Sequence, residues 1–407
     1  MAKPPLMDFV FYLSSEWSRF HRPGMIRALA DAIKDTGGKI LCVDNPVCLT
    51  TGRWHRPERW QAWRQATDRL RQIEDNLYLY DAHILLHDRL AARIPGAPAL
   101  NRHMLRKQVQ QQLRRLHMGN GPLISWFHFP TFQHYASMLD EQLQVYECYD
   151  EHSEIPGLSS ATRRLYRRLE AQLLRKVDVV VTTSTPLQIA KSKQHAQVWC
   201  SHNAADVDYF SQAQTTTIVP AIELNAAARP IIGYLGTIHE HTDLDLLAAV
   251  ATARPQWTLL MIGPLQKGLA ANTLQRLQGL PNVIMKGWIA QEELLSWLKC
   301  IDVCVIPYKA QARFNHFVNP NKLHEYTAMG KPIVATPGTD VSTHEHLITI
   351  AQTPAEFVAA IEAAYRDDSP ARIRERLDFA QENSWQRRAE NIVDRLSDLF
   401  TARGRSR

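Results

Sequence analysis

The sequence predicts an α/β protein made of two doubly wound domains, each built on a parallel sheet. Two observations carry that prediction. Apolar runs of strand length alternate with helical stretches along nearly the whole chain, the pattern of β-α-β units. They also fall into two sets separated by a stretch of different composition. FVFYLSS, KILCVDNP, LYLYDA, PLISWFHF, LQVYECYD, DVVVTTS and QVWCSHN form the first set. PIIGYLGTI, WTLLMIGP, NVIMKGW, DVCVIPY, KPIVATPG and the weaker LITIAQ form the second. QAQTTTIVPAIELNAAARP lies between them, poor in aromatics and rich in Thr, Ala and Pro, and reads as a linker. The expected division is therefore an N-terminal domain over 1–212, a linker over 213–229, a C-terminal domain over 230–383 and a terminal helix with its tail over 384–407. No short-period repeat or heptad array is visible.

Composition narrows the class. The 407 residues are 45% hydrophobic and 22% charged, ordinary for a soluble chain of this length. Six cysteines are scattered or sit inside apolar runs without a C-x-x-C pair, which reads as reduced core residues of a cytosolic protein. MAKPPLMDFVFYLSSEW lacks the apolar stretch and cleavage site of a secretion signal, and no run reaches the length of a membrane span. The expectation is a cytoplasmic protein. Its net charge of +6 is mild, but the excess is concentrated in the first half. RWHRPERWQAWRQATDRLRQ, RHMLRKQVQQQLRRL and TRRLYRRLEAQLLRK each read as a helix with a basic outer face, the first also carrying Trp54, Trp60 and Trp63. Two readings stand side by side: peripheral contact with an anionic membrane or acceptor, and plain solvated helix faces.

The segment VNPNKLHEYTAMGKPIVAT, Val318 to Thr336, is the most informative. Asn319 and Pro320 read as an N-cap and first-turn proline, so the free N–H groups of Asn321 and Lys322 point outward at the positive end of the helix dipole. Lys322 adds a full charge there, and Glu325, three residues on, can accept hydrogen bonds from vicinal hydroxyls such as a ribose presents. Gly330 reads as the helix stop before a buried strand. Such a unit suits a diphosphate; an ordinary capped helix is the alternative.

In parallel sheets ligands bind beyond the carboxyl ends of the strands, and two such domains facing each other make a cleft. The candidate loops therefore follow strands. In the second half these are Gly236, Thr237 and His239, then Gly263, then Tyr308. Gly233 and Gly236 form G-x-x-G, short of the G-x-G-x-x-G dinucleotide fingerprint, which disfavours NAD. In the first half, Ser15 and Trp17 follow one strand, His128 another, and Asp150 and Glu151 a third. Asp150, with Glu151 and His152, suits a general base for a hydroxyl nucleophile, or a solvated, capped loop. His128, between Phe127 and Phe129, suits a sugar or phosphate contact, or a structural role. The D-x-D pairs Asp206/Asp208 and Asp243/Asp245 do not follow buried strands as a manganese site requires, and a first-turn acid offsets the dipole. No metal or other cofactor is expected. Nor does any G-x-S-x-G, H-E-x-x-H or P-loop pattern occur.

Taken together, these motifs resemble the glycosyltransferases with two facing Rossmann-like domains (the GT-B fold), most closely bacterial glycosyltransferase family 4 and its glycosyltransferase group 1 relatives. GYLGTI is similar to the first strand and phosphate loop of their C-terminal domain, LLMIGP to its second strand, and NVIMKGWIAQEELLSWLKCIDVCVIPY to its base-side segment. NPNKLHEYTAMGKPIVAT is similar to the donor helix. HNAADVDYF resembles the segment entering the linker, with Ala204 in place of glycine, and NSWQRRAENIVDRLSDLF the terminal helix that crosses back to the N-terminal domain.

The resemblance implies that Glu325 takes the ribose hydroxyls and that the 320–322 turn takes the diphosphate, with Gly236 and Thr237 opposite. It also implies transfer of a sugar from a nucleotide diphosphate sugar, UDP-linked, to a hydroxyl of a glycan or lipid-linked acceptor held by the N-terminal domain. Where many relatives carry a second glutamate, facing the transferred sugar, this chain has Phe317. An inverting enzyme would use Asp150 as base; in a retaining one the diphosphate oxygen takes the proton and Asp150 positions the acceptor. Two rival readings remain, a sugar-nucleotide epimerase of the same architecture and a basic adaptor for nucleic acid or membrane. The density of phosphate-type loops in the less basic half argues against nucleic acid as a partner.

Overall fold

A computed structural model describes residues 6–20, 22–50, 56–66, 68–266, 269, 271–338 and 340–405. The chain divides into two compact units, one running to Ser201 and resuming at Gln386, the other from His202 to Trp385.

The first unit holds β1 (Asp8–Tyr12), β2 (Ile40–Val43), β3 (Val47–Cys48), β4 (Leu70–Glu74), β5 (Leu77–Tyr80), β6 (His83–Ile84), β7 (Leu123–Phe127), β8 (Leu143–Cys148), β9 (Val179–Thr182) and β10 (Val198–Cys200). Eight of them form one sheet in the order β10-β9-β8-β7-β1-β2-β5-β4. The seven runs expected as strands are all present and mutually parallel. Phe9 lies opposite Ile40 on one side and Ile124 on the other. β1, β2 and β7 are buried throughout, as strands covered on both faces must be, which is why they read as continuous apolar runs.

One expected helix was too long. The segment around Trp60 is helical only over Pro57–Gln65, and Leu70–Glu74 turns into β4, an antiparallel edge strand paired with β5. Its residues are exposed or half-buried, so the alternation that marks a core strand is absent. Trp54 lies outside the described residues. Trp60 and Trp63 stack on each other at 5.5 Å, and the Arg69 guanidinium sits 4.0 Å from the Trp63 ring centre.

In the second unit β11 (Ile231–Leu235), β12 (Thr258–Ile262), β13 (Val283–Gly287), β14 (Val303–Ile306), β15 (Ile333–Ala335) and β16 (Thr349–Ile350) form a six-stranded sheet in the order β13-β12-β11-β14-β15-β16. All of its pairs are parallel. The strand order reverses between β11 and β14, so the loops after these two strands diverge and leave a crevice at their carboxyl ends. In the first unit the same reversal separates β1 from β7.

The division falls at Ser201/His202, ahead of the expected boundary at 212, and the expected linker belongs to the second unit. Residues 202–229 pack with the second unit, because their polar groups find partners there. Asn203 N–H donates to Asn319 Oδ1 at 3.0 Å, Ala221 N–H to the Ser296 carbonyl at 3.0 Å, and Gln214 Nε2 to the Met329 carbonyl. The terminal helix Trp385–Arg405 packs with the first unit, where Arg403 Nη2 reaches Asp178 at 2.6 Å and the Arg395 guanidinium lies 4.7 Å from the Trp199 ring centre. Among the described residues no helix is long and apolar enough to cross a membrane.

Gly233 in the middle of β11 has no room for a side chain, since an added Cβ would lie 2.4 Å from Ile301 Cδ1. Gly233→Ala should lower stability by about 1–3 kcal/mol, read as a lower urea midpoint.

Candidate functional site

The second unit gathers its candidates at the ends of β11, β12 and β14. Its key helix runs Asn321–Ala328, with Pro320 at the N-cap position and no side-chain cap. The expected cap is thus displaced by one residue, and Asn319 is not a ligand contact. Asn319 is 2% exposed. Its Oδ1 accepts from Asn203 N–H and from His324 Nε2, each at 3.0 Å, and its Nδ2 donates to Asp340 Oδ2 at 3.2 Å. It anchors the helix start from behind. Leu323 N–H turns back onto the Pro320 carbonyl at 3.1 Å, and the N–H groups of Asn321 and Lys322, which precede the first intrahelical bond, sit at the positive end of the dipole. Asn321 adds a buried Oδ1 that lacks a hydrogen-bond partner among the described residues. Gly330 ends the helix at φ +63, with Lys331 N–H bonded to the Tyr326 carbonyl at 3.1 Å and Gly330 N–H to that of Thr327 at 2.9 Å. That pair of bonds is a Schellman motif.

Opposite the helix start, Gly236 and Gly263 lie backbone against backbone. Their φ values are +114 and +138, and a Cβ on Gly263 would fall 2.2 Å from the Gly236 carbonyl oxygen. On Gly236 it would fall 2.9 Å from Lys322 Nζ. Only glycine fits both places, and the Lys322 ammonium rests directly on the first loop. Lys322 is buried, donating to Tyr308 Oη at 3.3 Å and lying 4.8 Å from the Tyr234 ring centre and 5.6 Å from that of Tyr308. Burial opposes its charge, but Tyr234, Tyr308 and Glu325 outweigh that and hold its pKa above the ordinary lysine value. Glu325, one turn along, is shifted up by burial and pulled back by Lys322.

His239 joins the group. Burial first, then the charges of Lys322 and His241, push its pKa down to about 3, so the ring is neutral. His241 N–H donates to its Nδ1 at 3.2 Å, which leaves the proton on Nε2 as a donor. Thr237 is an exposed loop residue whose carbonyl accepts from Tyr234 Oη at 2.8 Å. Tyr234 is the member that sequence reasoning missed; a lone tyrosine in an otherwise apolar, fully buried strand was its signal. Three of the four D-x-D acids serve local structure. Asp243 and Asp206 cap helices through Leu246 N–H at 2.9 Å and Tyr209 N–H at 3.0 Å, and Asp245 pairs with Arg276 at 2.8 Å.

In the first unit, the Tyr149 hydroxyl donates to Ser14 Oγ at 3.0 Å and joins the loops after β1 and β8. Those loops carry Ser15, whose buried Oγ has no partner among the described residues, and Asp150. Burial raises the Asp150 pKa to about 7, with Arg22 pulling it down and Glu151 adding to the rise. Trp17 donates its backbone N–H to Asp44 Oδ1 at 3.1 Å and lies half-buried, its ring 5.8 Å from the Arg27 guanidinium.

Two expected site residues are removed from the chemistry by their partners. His128 is 1% exposed, with Nδ1 on the Tyr12 carbonyl at 3.1 Å and Nε2 on Glu147 at 2.9 Å. Both ring nitrogens are engaged by buried protein groups, which places His128 in the interior of the first unit instead of at a surface open to substrate. Glu147 also holds Arg22 at 2.8 Å and Trp126 Nε1 at 2.7 Å; burial would raise its pKa, yet Arg22 and His128 bring it down to about 2. Glu151 is spent in the same way. It binds Lys191 at 2.9 Å, and Lys191 binds Glu170 at 2.7 Å. Burial again favours the neutral acid, and Lys191 overrides it.

Comparison with known proteins agrees with this geometry. Residues 229–367 match the family model for glycosyl transferases group 1. Over 280 residues the chain is 28% identical to the Bacillus subtilis (strain 168) protein named "Putative teichuronic acid biosynthesis glycosyltransferase TuaH", an alignment spanning 64% of this chain and 68% of that one. Among solved structures, α,α-trehalose 6-phosphate synthase from Burkholderia multivorans superposes with a TM-score of 0.68 at 13% identity, covering 99% of this chain and 98% of that one. Sucrose-phosphate synthase from Thermosynechococcus elongatus gives 0.66 at 15% identity, covering 98% and 100%. The protein is a glycosyltransferase of GT-B fold. Its sequence is similar to the glycosyl transferases group 1.

Lys191→Met would leave Glu151 and Glu170 buried together without their counter-charge. It should destabilise the first unit by about 3–5 kcal/mol, measured from the shift in denaturation midpoint.

Proposed function

We propose that the protein transfers a hexosyl group from a nucleotide diphosphate sugar, UDP-linked, to a hydroxyl of a glycan or lipid-linked acceptor in cell-surface polysaccharide or glycolipid synthesis. The observation that carries this reading is the buried Lys322 ammonium at a helix N-terminus, resting on a glycine loop that admits backbone contact. The similarity to a protein named for teichuronic acid biosynthesis supports the polysaccharide setting.

In this reading the leaving diphosphate gains negative charge in the transition state. The first-turn N–H groups and Lys322 are already oriented to receive that charge, so they stabilise the transition state more than the ground state. The His239 Nε2 proton adds a neutral donor beside them. Glu325 accepts hydrogen bonds from the ribose hydroxyls. The first unit holds the acceptor, with Ser15 and Trp17 near the bound hydroxyl. Asp150 takes the proton if the reaction inverts, or positions the acceptor if it retains. The cation and the helix dipole would do the charge neutralisation that a metal ion does elsewhere, and of the D-x-D acids Asp206 and Asp243 are engaged as caps and Asp245 in a surface ion pair.

Glu325→Ala should weaken UDP binding roughly ten- to hundredfold by calorimetry, with the fold unchanged by circular dichroism. Lys322→Ala should cut kcat by roughly 30- to 1000-fold. UDP affinity unaltered in both variants would remove this helix from the donor site.

If Asp150 is the base, it works ionised. With its pKa raised to about 7, kcat/KM should climb as pH rises through 7 and level off above about 8. Asp150→Asn should abolish transfer while leaving UDP affinity intact; wild-type turnover in that variant would dismiss the role. Incubation with UDP-sugar alone should yield no isomerised sugar, which separates transfer from epimerisation.

A further inference from the structure

The first unit contains a cavity of about 410 Å³ that the donor chemistry does not use. Arg56, Arg59, Arg89 and Arg93 line it, together with Val47, Trp60 and Leu90. A second cavity of about 270 Å³ shares Arg56, His87 and Arg89 with the first and extends to Ser14 and Phe129, at the β1/β7 reversal. Two carboxylates oppose the four guanidiniums. Glu16 pairs with Arg56 and lies 3.4 Å from Arg59, and Asp44 is 3.5 Å from Arg59. Asp88 does not add to them, because its carboxylate is turned inward onto the Tyr135 hydroxyl and Asn101 Nδ2, the latter at 3.2 Å. Arg89 and Arg93 carry no ion pair among the described residues, so two cations border the cavity uncompensated.

Planar guanidiniums in pairs match phosphoryl oxygens through bidentate hydrogen bonds. The rest of the wall argues for more than an inorganic anion. Pro46, Val47, Trp60 and Leu90 offer few polar groups to sugar hydroxyls, which would lose hydration without replacement. Leu90 and Ile94 continue the apolar surface outward at 43% and 41% exposure. We propose that this cavity binds a phosphoryl group joined to a hydrocarbon chain, a lipid phosphate or diphosphate, as the anchor of the acceptor. The inference rests on the glycosyltransferase reading, and on the acceptor side of it only. The phosphoryl group sits between Arg89 and Arg93, the hydrocarbon lies along Trp60 and Leu90, and the adjoining cavity leads from the phosphate toward Ser14.

Calorimetric titration of the full chain with farnesyl diphosphate, below its micelle concentration, tests this against pyrophosphate and farnesol. Farnesyl diphosphate should bind at least about tenfold more tightly than either fragment. The double variant Arg89→Ala/Arg93→Ala, at two exposed positions, should lose about tenfold or more of that affinity. UDP affinity of the same variant should equal wild type. Pyrophosphate binding as tightly as farnesyl diphosphate would overturn the hydrocarbon half of the proposal. Farnesol binding as tightly would overturn the phosphoryl half, and an unaltered double variant would overturn the site. Failure of UDP to bind the wild type would instead count against the donor reading, and the lipid titration would still decide this one.

Discussion

The second unit is organised around the Lys322 ammonium, buried at the positive end of a helix and kept charged by Tyr234, Tyr308 and Glu325, which outweigh the cost of burial. The helix dipole and the lysine charge add rather than cancel, and the nearby groups are two phenol rings and one carboxylate a turn away. In the proposed reading, a diphosphate would be attracted by both at once. The glycine pair follows from the same constraint, since the backbone beside the charge must approach closely and any Cβ would occupy that space. So does the topology, because the reversal between β11 and β14 opens the loops that bring Gly236 and Tyr308 to the lysine.

The first unit handles charge in the opposite manner. Its buried acids are paired tightly, Glu147 with Arg22 and His128, Glu151 and Glu170 with Lys191. Asp150 stands apart from these pairs, and burial without a close counter-ion raises its pKa toward neutrality, where a carboxylate serves as a base. The arginines divide similarly. Arg102 donates to the carbonyls of His134 and Ala136 at 2.8 and 2.6 Å, and Arg163 and Arg167 hold Glu154. Much of the basic character of the N-terminal helices is therefore structural. Part of the excess that remains gathers around the cavity lined by Arg56, Arg59, Arg89 and Arg93.

Elements with a strong period were legible in the sequence. All thirteen apolar runs became strands, and the central ones such as β1, β7, β11 and β12 read most clearly because a parallel strand buried on both faces leaves an unbroken apolar signature. Gly330 was legible as a helix stop because few residues tolerate its φ. The failures share a cause: the sequence shows that a side chain can make a bond but not which one it makes. Asn319 looked like a cap and instead binds Asn203, His324 and Asp340 across 116, 5 and 21 residues of sequence. His128 and Glu151 looked like functional polar groups at strand ends, and distant partners had already engaged them. β4 was hidden because an exposed edge strand paired on one side shows no apolar run.

Local chemistry along the chain was enough to establish the strand succession, the helix that carries Lys322 and Glu325, and the glycines at the loop ends. These features depend on residue type and short-range spacing, which sequence records directly. Only the tertiary structure decided which carboxylates and histidines remain available, that Lys322 lies against Gly236 and two tyrosines, and that four arginines converge on one cavity. Each of those outcomes depends on groups far apart in sequence meeting at a few ångströms, where burial and Coulombic pairing outweigh any local preference.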